Sequence, residues 1–154
     1  MTAKRILLLV IVLGIVPALR ADNTCTAATI KGAYGFSGSG LEMVHASPAL
    51  LSSKSGSQLG RQAFAPVTFV GALSFTGDGM LSGSFTANGN GHQESAAPFT
   101  GAYVVNADCT GSIVVAENDG QESHFAMTIA DAGKEVLAIQ TDAGLARTFM
   151  VKKQ

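Results

Sequence analysis

The sequence predicts an all-β protein, a single antiparallel up-and-down barrel of eight strands that follows an N-terminal signal peptide. Three observations predict the barrel. Eight runs of six to fifteen residues alternate between large apolar and small or polar side chains, as strands with one buried face do. Clusters of Asp, Asn and Gly separate the later runs, and such clusters form tight hairpin turns. The density of glycine, 18 residues in 154, disfavours helix.

The eight predicted strands fill most of the chain after residue 30. They are 31–40, 62–76, 80–87, 97–105, 112–117, 122–130, 135–141 and 145–151. An open sheet of eight strands would leave two edges unpaired, whereas a closed barrel has none, so we expect closure; a β-sandwich is the alternative. Glycines inside strands are expected to mark bends, bulges or close approaches. They are Gly35, Gly38, Gly71, Gly83 and Gly101.

Residues 41–60 interrupt the alternation. The segment mixes apolar residues with a proline and a Ser/Gly-rich stretch, and it is too long for a hairpin turn. Loops of this length in a compact domain are usually lids, binding loops or disordered connections. We interpret the segment as a flap near one mouth of the barrel, with a purely structural loop as the alternative.

Residues 1–21 predict export. Two basic residues precede an apolar run over residues 6–16, and a proline and small residues follow it, in the order of a secretory signal peptide. The run has 11 residues, whereas a membrane anchor needs about 20. We expect cleavage after Ala18 or Ala21, no stable membrane anchor afterwards, and a secreted or periplasmic barrel domain over residues 22–154.

Charge and cysteine content restrict the partners. Removing residues 1–21 takes three of the ten basic residues and none of the eleven acidic ones, which leaves a formal net charge of −4. A mildly acidic chain without basic clusters is poorly suited to nucleic acid or an anionic membrane, and we predict neither partner. Cys25 and Cys109 are the only cysteines, and an even count in an oxidising compartment predicts a disulfide. The alternative is one reactive free thiol.

The apolar face of the strands is expected to line the barrel interior. An eight-stranded barrel has room there for side chains or for one small ligand. The expected ligand-binding row is mainly aromatic, and one charged residue joins it. It consists of Phe69, Phe75, Phe85, Phe99, Tyr103, Phe125, Arg147 and Phe149.

Arg147 is the unusual member of this row. It is charged, yet it lies an even number of positions from the apolar residues of its strand and is therefore expected on the same face. A guanidinium that faces a core needs a partner. We expect that partner to be Glu94, Glu122 or Glu135, or the carboxylate of a ligand at the mouth. The alternative is a kinked or exposed strand end. Gln140 and Tyr103 are weaker candidates for polar groups in the same cavity.

Familiar catalytic motifs are missing from the sequence. It contains no Gly-x-Ser-x-Gly elbow, no phosphate loop and no complete dinucleotide fingerprint. His92 and Glu94 would share one face of an extended segment, a geometry that suits metal binding or proton transfer. A structural zinc site, however, needs four ligands at suitable spacing. We predict no catalytic residue, no metal and no cofactor, and leave enzymatic activity open.

Four segments resemble a group of small exported bacterial proteins. They are GAYGFSGSG (32–40), VGALSFTGDG (70–79), FTGAYVVNADCTGS (99–112) and AIQTD (138–142). The barrel of that group is similar to the one shared by allene oxide cyclases and dirigent proteins, which itself resembles the lipocalin type. The resemblance implies an eight-stranded barrel around an apolar cavity, a hydrophobic substrate handled without a cofactor, and homo-oligomers. No catalytic position of those relatives matches a motif here.

Three functions follow from these observations. The first is an exported barrel that binds a small apolar molecule in its lumen, with Arg147 as a polar anchor and residues 41–60 as the flap. The second is a cofactor-free isomerase or cyclase that acts by shape and a few polar groups. The third is a structural or surface-interaction module whose barrel is packed solid.

Overall fold

The computed structural model describes residues 24–45, 62–89, 91–117 and 120–154, and the predicted signal peptide lies outside them. It confirms the closed eight-stranded antiparallel barrel, in which consecutive strands pair and the last strand pairs with the first. The β-sandwich alternative is therefore wrong. The strands are β1 (Gly32–His45), β2 (Gln62–Phe75), β3 (Met80–Gly89), β4 (His92–Val105), β5 (Thr110–Glu117), β6 (Glu122–Ala130), β7 (Glu135–Gln140) and β8 (Leu145–Lys153).

Glycines on the inner face let aromatic rings approach the barrel wall closely. A Cβ at Gly71 would come within 2.6 Å of the Phe36 ring, and one at Gly83 within 2.7 Å of the Phe99 ring. No side chain fits at these distances, so the glycines mark close approaches, as the sequence predicted for Gly71 and Gly83. The narrow lumen can therefore hold several large rings at one level.

The two ends of the barrel differ, and we call them the base and the mouth. The base is the end at which β1, β3, β5 and β7 begin; the mouth is the opposite end. Residues 24–31 cross the base and include a 3-10 turn at Ala27–Ile30. A second 3-10 turn, Asp131–Gly133, connects β6 to β7 there. Ile30 is fully buried beneath the lumen, so the base is closed by the chain itself.

Aromatic residues fill the base half of the lumen. The Phe75 ring packs edge-on against Tyr34 at 5.3 Å and against Tyr103 at 4.9 Å between centroids. The Tyr34 hydroxyl donates to the Gly133 carbonyl at 2.5 Å. The Tyr103 hydroxyl donates to the carbonyl of Ala27 at 3.1 Å and accepts the N–H of Gly77 at 3.0 Å. Both hydroxyls are thus satisfied by backbone groups, which makes this half a packed core.

A disulfide between Cys25 and Cys109 ties the crossing segment to the β4–β5 turn, as predicted. Their Cα atoms lie 5.0 Å apart, within the ordinary range for a disulfide. The Cys25 N–H also donates to the Ala107 carbonyl at 3.2 Å. The free-thiol alternative is wrong, because both cysteines of the chain are bonded.

The predicted flap begins five residues too early. Leu41 to His45 continue β1 and pair with the start of β2, from Leu41 opposite Pro66 to His45 opposite Gln62. The alternation also continues there, with Glu42 on the inner face of the strand and Leu41 and Met43 exposed. In the sequence, the alternation is not recognisable here because the inner position 42 holds a charged residue and not an apolar one. The rest of the predicted flap, residues 46–60, lies outside the described residues.

β4 likewise begins five residues earlier than predicted, at His92. A bulge interrupts its pairing with β3, since Phe85 faces Ala97 while Ala87 faces Glu94. Ala96 takes a φ of +52° at this point, which is unusual for a residue other than glycine. The extra residue breaks the period of two, and this is why the alternation does not reveal the first part of β4.

Candidate functional site

The mouth half of the lumen contains six phenylalanines that we call the phenylalanine cage. They are Phe36, Phe69, Phe85, Phe99, Phe125 and Phe149. Each ring contacts at least one other, with centroid distances from 5.3 to 6.2 Å. Most of these pairs are edge-on, the arrangement that aromatic rings favour. The cage is therefore a preformed apolar surface.

The cage surrounds a cavity of about 90 Å³. The cavity is not fully enclosed, and because Phe75 and Tyr103 block the base, its access is from the mouth. Besides the rings, it is lined by aliphatic side chains and by three polar residues, Glu117, Ser123 and Arg147. It is thus an apolar cavity with polar groups at its mouth.

Two residues of the predicted row do not line the cavity. The alternation of side chains predicted that Phe75 and Tyr103 lie on the inner face, and this is confirmed. Both residues, however, lie in the packed base half and are almost fully buried. The predicted use of the Tyr103 hydroxyl as a polar group in the cavity is also wrong, because it bonds to backbone at the base. The other six members line the cavity, and Phe36, which the prediction omitted, completes the cage. Phe36 lies two positions after Tyr34 in the same strand, and this spacing could have predicted that it faces the lumen.

Arg147 points into the barrel, as its parity predicted, but its partner is different from the predicted ones. Its Nη2 lies 2.6 Å from Oε2 of Glu42 on the neighbouring strand β1, and Glu94, Glu122 and Glu135 are not its partners. The exposed side-chain fractions are 17% for Arg147 and 27% for Glu42, so the ion pair is largely buried. Gly40 pairs with Arg147 across the two strands, and its lack of a Cβ allows the close approach.

The remaining contacts of the guanidinium are weaker. Nη1 donates to Oε1 of Gln140 at 3.5 Å, and the guanidinium carbon lies 5.1 Å from the centroid of the Phe69 ring, a cation–π geometry. Among the described residues, Arg147 Nε is the one buried side-chain nitrogen or oxygen without a hydrogen-bond partner. A buried unsatisfied donor costs about 1–3 kcal/mol. Arg147 is thus fixed by its ion pair with Glu42, but its hydrogen-bonding capacity is not fully used.

Gln140 connects the lumen to the β7–β8 turn. Its side-chain amide donates to Oδ2 of Asp142 at 2.9 Å and to Oγ of Ser123 at 3.3 Å, which turns its carbonyl oxygen toward Arg147. Asp142 also accepts the backbone N–H of His124 at 2.8 Å, and His124 Nδ1 lies 2.8 Å from its Oδ1. The hydrogen bonds from the His124 backbone and from Gln140 lower the pKa of Asp142 from 3.8 to about 2.

His92 and Glu94 form no comparable site. Both side chains are exposed on the part of β4 that lies beyond the end of β5. Within the described ranges, no three His, Cys, Asp or Glu side chains come together as metal ligands would. His124 lies on the outer face of β6 and contacts Asp142 instead.

A second concave surface lies outside the barrel, across β1, β8, β7 and β6, with a volume of about 600 Å³. Hydroxyl groups of Ser37 and Ser39 lie beside the exposed apolar side chains of Leu137, Ile139 and Met150. Nothing in a single chain tests the predicted homo-oligomer, which stays a prediction.

Comparison with family models, with curated proteins and with solved structures finds no match to this chain. The resemblance to the allene oxide cyclase and dirigent barrels therefore stays a prediction. The disulfide is compatible with an extracellular or periplasmic location. Over the residues that the structure describes, no helix has the length and hydropathy needed to cross a membrane.

Proposed function

We propose that this chain is an exported barrel that binds a small, largely apolar molecule, with the apolar end of the ligand inside the phenylalanine cage. The observation that carries the proposal is the open cavity among the rings. Enclosed apolar cavities cost about 24 cal/mol per Å³, so about 2 kcal/mol is the upper limit of the stability forgone in this open cavity of about 90 Å³. A larger side chain in the wall would recover that stability, and a ligand explains why the space is kept.

The cavity volume limits what can enter. Drug-sized ligands occupy pockets of about 300–1,000 Å³, well above the volume of this cavity. An engineered apolar cavity of about 150 Å³ binds one benzene ring, so this smaller cavity takes fewer than about six non-hydrogen atoms. The ligand is therefore expected to insert only a short alkyl end, while its polar end stays beside Arg147 and Gln140 at the mouth.

Export rests on the sequence of residues 1–21 and is supported by the disulfide. The small cavity also favours a second candidate, the structural module with a packed barrel. A cofactor-free isomerase or cyclase, which the family resemblance implies, would need a group free to move a proton beside the cage. Glu42 is ion-paired with Arg147, so it is poorly placed for that role.

Xenon binding tests the proposal directly, since xenon enters dry apolar cavities and has no polar contacts to make. We expect saturable binding of xenon, followed by NMR shifts of the cage rings, in the purified chain. Ala138→Leu should remove it, because Ala138 lines the cavity. Ala102→Leu makes the same change on the exposed face of β4 and should leave binding intact. Absence of xenon binding, or equal binding by both variants, would favour the packed module.

A further inference from the structure

The guanidinium at the mouth already has a carboxylate partner without a ligand. Arg147 contributes the positive charge, and its closest partner is the Glu42 carboxylate at 2.6 Å. A second carboxylate, that of Glu117 on β5, lines the same cavity. The guanidinium that faces the cage is thus already paired with a carboxylate of the chain itself. Because Glu42 already neutralises Arg147, the guanidinium is not expected to attract a ligand carboxylate strongly.

A ligand carboxylate would have two unfavourable ways to bind. It could displace Glu42 from Arg147, which would leave the Glu42 carboxylate largely buried and without its cation. It could instead lie beside the intact ion pair, where the charge of Arg147 is already compensated and the carboxylate would lose its water among phenylalanine rings. An uncharged hydroxyl or carbonyl meets neither obstacle.

The hydrogen-bonding capacity left at the mouth also suits an uncharged group. Arg147 Nη1 makes only the long contact of 3.5 Å to Gln140, and Nε has no partner. A neutral oxygen can accept a hydrogen bond from this guanidinium while the short bond between Nη2 and Glu42 stays in place. The Glu42–Arg147 pair then presents a polar surface without net charge, on which Arg147 still has N–H groups that can donate to a ligand.

We propose that the site selects ligands with an uncharged polar head over carboxylates of the same chain length, and that Glu42 is the residue that imposes this selection. The inference rests on the proposed function, since it names the ligand class for the same cavity. The carboxylate of Glu42 then determines specificity by occupying Arg147 and by repelling a second carboxylate.

The test compares 1-pentanol with pentanoate at neutral pH, with NMR titration of the purified chain. The wild-type chain should bind 1-pentanol at least about tenfold more tightly than pentanoate. In Glu42→Gln, the affinity for pentanoate should gain about tenfold or more relative to that for 1-pentanol, because Arg147 then lacks its carboxylate. Glu94→Gln is the matched control, since it removes an exposed carboxylate of β4 that does not contact Arg147. It should change both affinities by less than about twofold.

Each outcome has a distinct meaning. If the wild-type chain binds neither compound, the proposed function fails and this inference fails with it. If it binds pentanoate as tightly as 1-pentanol, the function stands and the inference is overturned. An equal response of Glu42→Gln and Glu94→Gln would likewise overturn it, by showing a general charge effect. The wild-type comparison decides the matter even if Glu42→Gln does not fold.

Discussion

The base and the mouth of the barrel are made from the same strands and the same inner row of side chains, yet they differ in packing. At the base, Tyr34 and Phe75 are fully buried and the tyrosine hydroxyls bond to backbone. At the mouth, similar rings leave a cavity and a guanidinium nitrogen without a partner. The difference is the segment of residues 24–31, which crosses one end. Among the described residues, the packed end of this barrel is therefore the one that the chain crosses.

The largest effect is expected from the disulfide, which belongs to the base. Cys25 and Cys109 are 84 positions apart, and closing a loop of that size corresponds to about 4–5 kcal/mol of unfolded-state entropy. The variant Cys25→Ser/Cys109→Ser should lose stability of that order in urea unfolding. Under conditions in which it remains folded, its affinity for xenon should stay within about twofold, because the bridge does not touch the cage. A loss of binding in the folded variant would show that base and mouth are coupled.

Phenylalanine truncation at the two ends should sharpen the contrast. Phe75→Ala at the base should cost about 4 kcal/mol, because the ring is only 1% exposed and packed on both sides. Phe125→Ala at the mouth should cost about 2 kcal/mol, because this ring is only partly buried and borders an existing cavity. Urea unfolding of both variants measures the difference. Equal losses would mean that the mouth is as tightly packed as the base.

The smallest effect is expected at Asp142 near the mouth, and it depends on pH. Its folded pKa, about 2, lies below the ordinary 3.8, so its contribution is complete above about pH 4 and is lost as pH falls toward 2. Asp142→Asn should lose about 1 kcal/mol at pH 7 and should show a flatter decline of unfolding free energy between pH 4 and 2.

Asp131→Asn is the control for this measurement. Asp131 is exposed at the base, and its contact with Lys134 is 4.0 Å long. The control should keep the decline of the wild-type chain across the same pH range. An identical decline in Asp142→Asn and the wild-type chain would show that the contacts of Asp142 contribute nothing to stability.

Period-two alternation predicted all eight strands, except the end of β1 and the start of β4, and the inward direction of Arg147, while closure was predicted from the unpaired edges of an open sheet. It reports which face a residue occupies but not its height along the barrel axis. For this reason Phe75 and Tyr103 were grouped with the cage although they lie at the base. Height depends on strand register, which is set by pairings such as Gly40 with Arg147 between β1 and β8. Those pairings are not visible in a single sequence.

Two local features explain the other differences between the sequence predictions and the structure. Glu42 was missed because a charged residue on the inner face looks like the start of a loop, and its partner lies 105 positions away. The first part of β4 was missed because the bulge at Ala96 shifts the alternation by one residue. In both places an exception to the pattern accompanies a functional or structural feature, as expected where the local sequence and the fold disagree.

The Glu42–Arg147 pair spans the seam where the first strand meets the last. Contacts this distant in the chain form only when the barrel closes, so a nascent chain that lacks β8 has no site at all. A molecule bound beside this pair would stabilise the seam and oppose its reopening, because it binds the closed chain and not the open one. Ligand binding would then strengthen the same β1–β8 contact that completes the barrel.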